Sequence, residues 1–181
     1  PAQDAHAVAQ EGEITVAVLC DGCGAGAHSE VGARLGAGLL CAALLRRLRG
    51  GAALDEALLA ALREEVLGAL RPLVDALASE SGRRAQVVHD HFLFTIVGAA
   101  VTAQEAALFH LGDGLLCLNG EALPLGPYAG NAPPYLGYAL IDEAGEGGAL
   151  GALGRAPIAL ARRLPAAELR SALLGSDGAE E

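Results

Sequence analysis

The order of elements readable in the sequence predicts an α+β fold, with helices and strands segregated along the chain. Residues 13–20 are continuously apolar and partly β-branched, the mark of a strand buried on both faces. Two long stretches of helical periodicity follow, and the period then changes to that of short strands joined by turns. A doubly wound chain would alternate strand and helix throughout.

After the first strand comes a glycine-rich turn from Asp21 to Gly26. A helix is predicted from Ser29, as its cap, to about Arg49, with Leu35, Leu39, Ala42 and Leu45 on one face. Gly50 and Gly51 stop it. A second helix is predicted from about Leu54 to Leu77, with Leu58, Leu62, Val66, Leu70, Leu73 and Leu77 at helical spacing and a kink at Pro72. Ser79 to Arg84 reads as a polar break. Strands at 91–102, 106–111 and 115–119 form an expected antiparallel meander, with Asn119-Gly120 as a hairpin turn. Residues 124–135 are rich in Pro and Gly and read as a loop; further strands are expected at 135–142, 156–161 and 169–175. No repeat or linker divides the chain, so one domain over residues 1–181 is expected.

Composition narrows the function. All twelve basic residues are Arg, which removes chemistry that needs a phosphate-loop or Schiff-base lysine. A net charge of −10 argues against nucleic acid as a partner, although most acidic residues on any such chain serve solubility. No apolar run is long enough to cross a bilayer, and no charged-then-apolar leader follows Pro1, so a cytoplasmic protein without a membrane partner is expected. Cys20 and Cys23 form a C-x-x-C pair, but Cys41 and Cys117 lie far off in apolar runs. Free thiols in a reducing compartment are the simpler reading, with structural zinc the alternative.

Asp-Gly occurs three times, as Asp21-Gly22, Asp113-Gly114 and Asp177-Gly178, each time after an apolar strand-like run. One Asp-Gly is an ordinary turn. Three at the ends of core strands would bring three carboxylates to one end of a sheet sandwich. Such carboxylates repel unless a cation neutralises them, and oxygen donors select hard ions such as Mg²⁺ or Mn²⁺. A competing reading takes Gly22, Gly24 and Ala27 as a dinucleotide fingerprint. It then needs an acidic residue ending a second strand about 20 residues on, where this chain has Arg46 and Arg47 within a predicted helix.

The segment Val18-Leu19-Cys20-Asp21-Gly22-Cys23-Gly24 resembles the V-x-D-G-x-G signature of the type 2C, metal-dependent protein phosphatases. Four further segments are similar to that family's motifs in the same order. Gln3-Asp4-Ala5 resembles the motif before the first core strand, and Phe94-Thr95 a strand with a characteristic threonine. His110 to Gly114 resembles V-G-D-S, and Leu174 to Gly178 resembles L-x-S-D-G. The residues Ser29 to Ala33 and the loop Asn131 to Tyr135 resemble the bacterial branch.

This resemblance implies a four-layer α-β-β-α sandwich with two central, mainly antiparallel sheets and a binuclear Mn²⁺ or Mg²⁺ site between them. It implies that Asp21 bridges both ions, Gly22 offers its carbonyl oxygen and Asp177 ligates one ion. Asp4 would act through water, and Asp113 would support the site or a third ion. The implied activity is hydrolysis of phosphoserine and phosphothreonine on a phosphoprotein substrate, the target of a serine/threonine kinase. The alternative is a catalytically weak, phosphatase-like regulatory or binding domain. The family's arginine lies upstream of Gln3-Asp4 and its last metal aspartate downstream of Asp177, so the domain is expected to be incomplete at both ends. Gly114 stands where many members have Ser, and Cys23 where they have His or Met.

The other polar residues have plainer readings. His89, Asp90 and His91 form a compact cluster expected at a loop-to-strand junction, His6 and His28 flank the site, and His110 packs within a strand. Ser176 reads as a turn residue, because its surroundings do not match a nucleophile elbow.

Overall fold

The structure, a computed structural model, describes residues 3–78, 83–141 and 149–180. Residues 79–82 of the expected polar break and residue 142 of an expected strand lie outside the described residues. Strands β1 (Ala5–Glu11), β2 (Ile14–Cys20), β3 (Ile96–Val101), β4 (Glu105–Leu111) and β7 (Ala159–Pro165) form a five-stranded sheet in the order β1-β2-β3-β4-β7. Strands β5 (Gly114–Leu118), β6 (Glu121–Leu125) and β8 (Ala172–Gly175) form a three-stranded sheet in the order β6-β5-β8. Every strand pairing is antiparallel. The expected α+β architecture of two antiparallel sheets is present.

Helices α1 (Ser29–Arg49) and α2 (Glu56–Leu77) cover one face of the five-stranded sheet, with the short helix α3 (Arg84–His91) packed against both. Asp55 caps α2 by accepting from the Leu58 amide at 2.9 Å. Helix α4 spans Ala149–Gly154. Two apolar cores result. Leu40, Leu44, Leu62, Leu70, Phe94 and Phe109 fill the space between helices and sheet. Val97, Ala99, Leu108, Leu116 and Leu125 fill the space between the two sheets. Strand β3 borders both cores, which explains why it reads as an unbroken apolar run. Gly98 leaves room for the Phe109 ring, which a Cβ there would meet at 2.2 Å.

Several sequence expectations need correction. Strand β1 and helices α3 and α4 were not anticipated. In α1 the buried stripe is Ala33, Ala37, Leu40, Cys41, Leu44 and Leu48, while Leu35 is exposed. Ser29 does not cap this helix: His28 holds the cap position without a side-chain bond. In α2 the face ends on Val74, with Leu73 and Leu77 exposed, and Pro72 lies inside the helix. The expected strand from residue 135 is a 3-10 turn, Leu136–Leu140, packed so that Gly137 sits against the Phe92 backbone. The meander also changes sheets: β4 ends in the larger sheet and β5 begins in the smaller. The crossing is made at Gly112 (φ 88°) and Gly114 (φ 131°), a left-handed backbone that favours glycine on both sides of Asp113. Among the described residues no helix is long and apolar enough to cross a membrane.

Candidate metal centre and phosphate site

Strand β2 delivers Asp21 to the end of the sandwich, and the segment leading into β3 fixes it there. The Thr95 amide donates to the Asp21 carbonyl at 2.8 Å, Gly22 bridges to Phe94, and the Cys23 amide donates to the Leu93 carbonyl at 2.9 Å. Gly22 is required by space: a Cβ there would lie 2.8 Å from Ser29 Oγ and 3.0 Å from the Gln3 carbonyl oxygen. The turn closes with the Gly26 amide on the Cys23 carbonyl at 2.9 Å, and the His28 amide ties it to the Asp90 carbonyl at 2.8 Å.

A cavity of about 420 Å³ opens at this end. Asp4 before β1, Asp21 after β2, Asp113 at the sheet crossing and Asp177 after β8 all line it. All three Asp-Gly aspartates thus reach one cavity, together with Asp4 from the start of the chain. Ser176, read from sequence as a plain turn residue, donates its hydroxyl to Asp4 Oδ2 at 2.8 Å and joins segments 172 residues apart. Nothing in the sequence pointed to that link.

The carboxyl of Asp21 is pushed up to about 8, first by burial and then by its contacts with Asp4 and Asp177. Like charges crowd there, and the charged form of Asp21 is disfavoured. The donors in contact are all oxygens, a set suited to hard divalent cations. Among the described residues no three His, Cys, Asp or Glu side chains stand in a ready-made metal cage. The paired contacts of Asp21, with the Gly22 backbone beside it, still fit a cation that also keeps water in its coordination shell.

Around the cavity the loop after β6 forms a wall. Its Leu136 amide donates to the Phe94 carbonyl at 3.2 Å, which ties the loop to the segment that holds Asp21. Tyr128 donates its hydroxyl to the Gly112 carbonyl at 3.4 Å, and His110 Nδ1 lies 3.1 Å from the same oxygen. His110 is therefore a packed, hydrogen-bonded residue, as expected. Tyr135 lines the cavity, in side-chain contact with Cys23 and edge-on to Tyr138 at 5.6 Å between ring centroids.

The histidine cluster lies elsewhere. His89 and His91 sit on helix α3 rather than at a loop-to-strand junction, because the segment folds back to bury Val88. His91 stacks on His28 at 5.4 Å, while His89 pairs with Asp90 at 3.2 Å. Cys20, Cys23, Cys41 and Cys117 are free thiols. Burial, and then the neighbouring Asp21 charge, pushes the Cys20 thiol up and keeps it unreactive.

A family model described as protein phosphatase 2C matches residues 1–127. Among solved structures, a bacterial serine phosphatase aligns at 15% identity and TM-score 0.56, covering 98% of this chain and 73% of that one. The catalytic domain of the serine/threonine protein phosphatase PstP, in complex with two manganese ions, aligns at 19% identity and TM-score 0.51, covering 98% and 72%. A sex-determining protein of C. elegans aligns at 16% identity and TM-score 0.57, covering 99% of this chain and 49% of that one. No curated protein sequence matches the chain. At these identities the structural likeness speaks to the fold.

Proposed function

The chain belongs to the protein phosphatase 2C family, and from that premise we propose that it hydrolyses phosphoserine and phosphothreonine monoesters on proteins with divalent-cation assistance. Asp21, the Gly22 carbonyl and Asp177 would hold Mn²⁺ or Mg²⁺, with Asp4 acting through water and Asp113 supporting the site or a third ion. Bound divalent ions would supply charge neutralisation and an acidified water for in-line attack on phosphorus. The chain's own residues do the rest. The Thr95 amide and the Phe94 bridge hold the Asp21 backbone still. Ser176 orients Asp4, and Pro133 and Tyr135 wall one side of the cavity. No side chain needs to carry the phosphoryl group covalently.

The observation that carries this reading is the crowding of Asp4, Asp21 and Asp177 at one cavity, which disfavours the charged form of Asp21 unless a cation neutralises it. The lining is otherwise neutral: among the described residues no Arg or His contributes to it. Because no ready-made metal cage stands among the described residues, a second reading is a weakly catalytic domain that binds a phosphoprotein without efficient turnover. Release of inorganic phosphate from a phosphoserine peptide, with Mn²⁺ and with chelator, separates the two. The first reading expects release only with the metal. Peptide binding without release would support the second.

A further inference from the structure

We infer that Asn119 is a positioning residue for the candidate metal centre: from the far end of β5 it sets the register of β8, and with it the place of Asp177. The inference rests on the cation reading above and concerns how the chain prepares that site. Strand β5 begins directly after Asp113, and antiparallel β8 ends directly before Ser176 and Asp177. Their pairing brings Asp113 and Asp177 to the same cavity. It consists of four residue pairs, from Leu115 with Gly175 to Leu118 with Ala172.

Apolar packing alone does not fix this register. Leu174 packs on the core between the sheets, while Leu173 is exposed. Successive side chains of a strand alternate between faces, so a slip of one residue puts Leu173 where Leu174 stands. One leucine then replaces the other. The same slip carries Asp177 about 3.4 Å along the strand, far beyond the roughly 0.2 Å within which metal–ligand distances hold.

Asn119 makes the registers unequal. It turns β5 into β6 with a left-handed backbone (φ 53°), which asparagine adopts more readily than most residues. In that pose its Oδ1 accepts from the Arg170 amide at 2.7 Å and the Ser171 amide at 3.1 Å. Its Nδ2 donates to the Glu168 carbonyl at 2.8 Å, and its own amide donates to the Ser171 carbonyl at 2.9 Å. These bonds clamp residues 168–171, the lead-in to β8. At about 3.4 Å per residue, β5 puts the clamp roughly 17 Å from the cavity, so Asn119 acts on the site only through the strands.

The test compares the wild type with Asn119→Gly, which keeps the left-handed turn and removes the three side-chain bonds. Asn119→Asp keeps both bonds to Oδ1, and Asp55→Ala serves as a control destabilised elsewhere. In calorimetric titration Asn119→Gly should bind Mn²⁺ about tenfold more weakly, with Asn119→Asp closer to the wild type and Asp55→Ala unchanged. Hydrogen–deuterium exchange of the metal-free chain should rise at residues 168–177 in Asn119→Gly and stay at the wild-type level in β4. Wild-type Mn²⁺ affinity in Asn119→Gly overturns the inference, and so does exchange that rises evenly across both sheets. A wild type that binds no Mn²⁺ overturns the cation reading instead. Exchange then judges Asn119 alone, and an unchanged rate at residues 168–177 overturns its role.

Discussion

At the scale of single residues, Asp21 carries the most weight. Its carboxyl titrates near 8 in the folded chain against an ordinary value of 3.8, so the metal-free fold binds a proton more tightly than the unfolded chain does. Stability from this group is therefore full below about pH 4 and is lost as pH rises through 8. For a carboxyl that is only partly buried, solvent screening leaves a loss on the order of 2 kcal/mol. Thermal melts of the chelated protein should show Tm falling between pH 5 and pH 8.5 by roughly 5 °C, with a flatter profile for Asp21→Asn. A wild-type profile parallel to that of Asp21→Asn would contradict the assignment. Asp21, Asp113 and Asp177 were legible in the sequence because each follows an apolar strand and precedes a glycine. The Ser176–Asp4 link was not, because it depends on how distant segments meet at the cavity.

Among the elements, helix α1 shows where periodicity fails. Its ends were legible at Ser29 and Arg49, but its buried face was not, since leucines lie on more than one side. Small residues decide the face. A Cβ on Gly32 would lie 2.3 Å from the His91 carbonyl oxygen and 2.8 Å from Phe92 Cα, both backbone atoms that cannot turn away. Gly36 similarly makes room for the Phe94 ring. The helix thus packs directly on the segment that positions Thr95 and Asp21. Gly32→Ala should cost on the order of 2 kcal/mol by overpacking and should also weaken Mn²⁺ binding, read by chemical denaturation and calorimetry. Asp55→Ala, which removes the cap of α2 far from the cavity, should cost about 1 kcal/mol and leave Mn²⁺ affinity intact. Helix α3 escaped sequence reading because it is eight residues long and buries only Val88.

For the molecule as a whole, the antiparallel two-sheet plan was legible from the order of elements, while the exchange between sheets at Asp113 was not. Local patterning shows that β4 and β5 are strands; only the packing of Leu108 against Leu116 shows that they face each other across a core. This plan gathers Asp4, Asp21, Asp113 and Asp177 at one end, so a cation bound there would tie together segments from both termini. Mn²⁺ at 100 times its dissociation constant should stabilise the chain by about 2.7 kcal/mol, raising Tm by roughly 5–10 °C. Chelator should reverse that rise. The most direct test of the account is hydrolysis of para-nitrophenyl phosphate by the chain with Mn²⁺, with chelator and with Asp21→Asn. The account predicts turnover that requires the metal and is lost in Asp21→Asn. Turnover that survives both chelator and Asp21→Asn, or a chain that neither binds Mn²⁺ nor hydrolyses the ester, would contradict it.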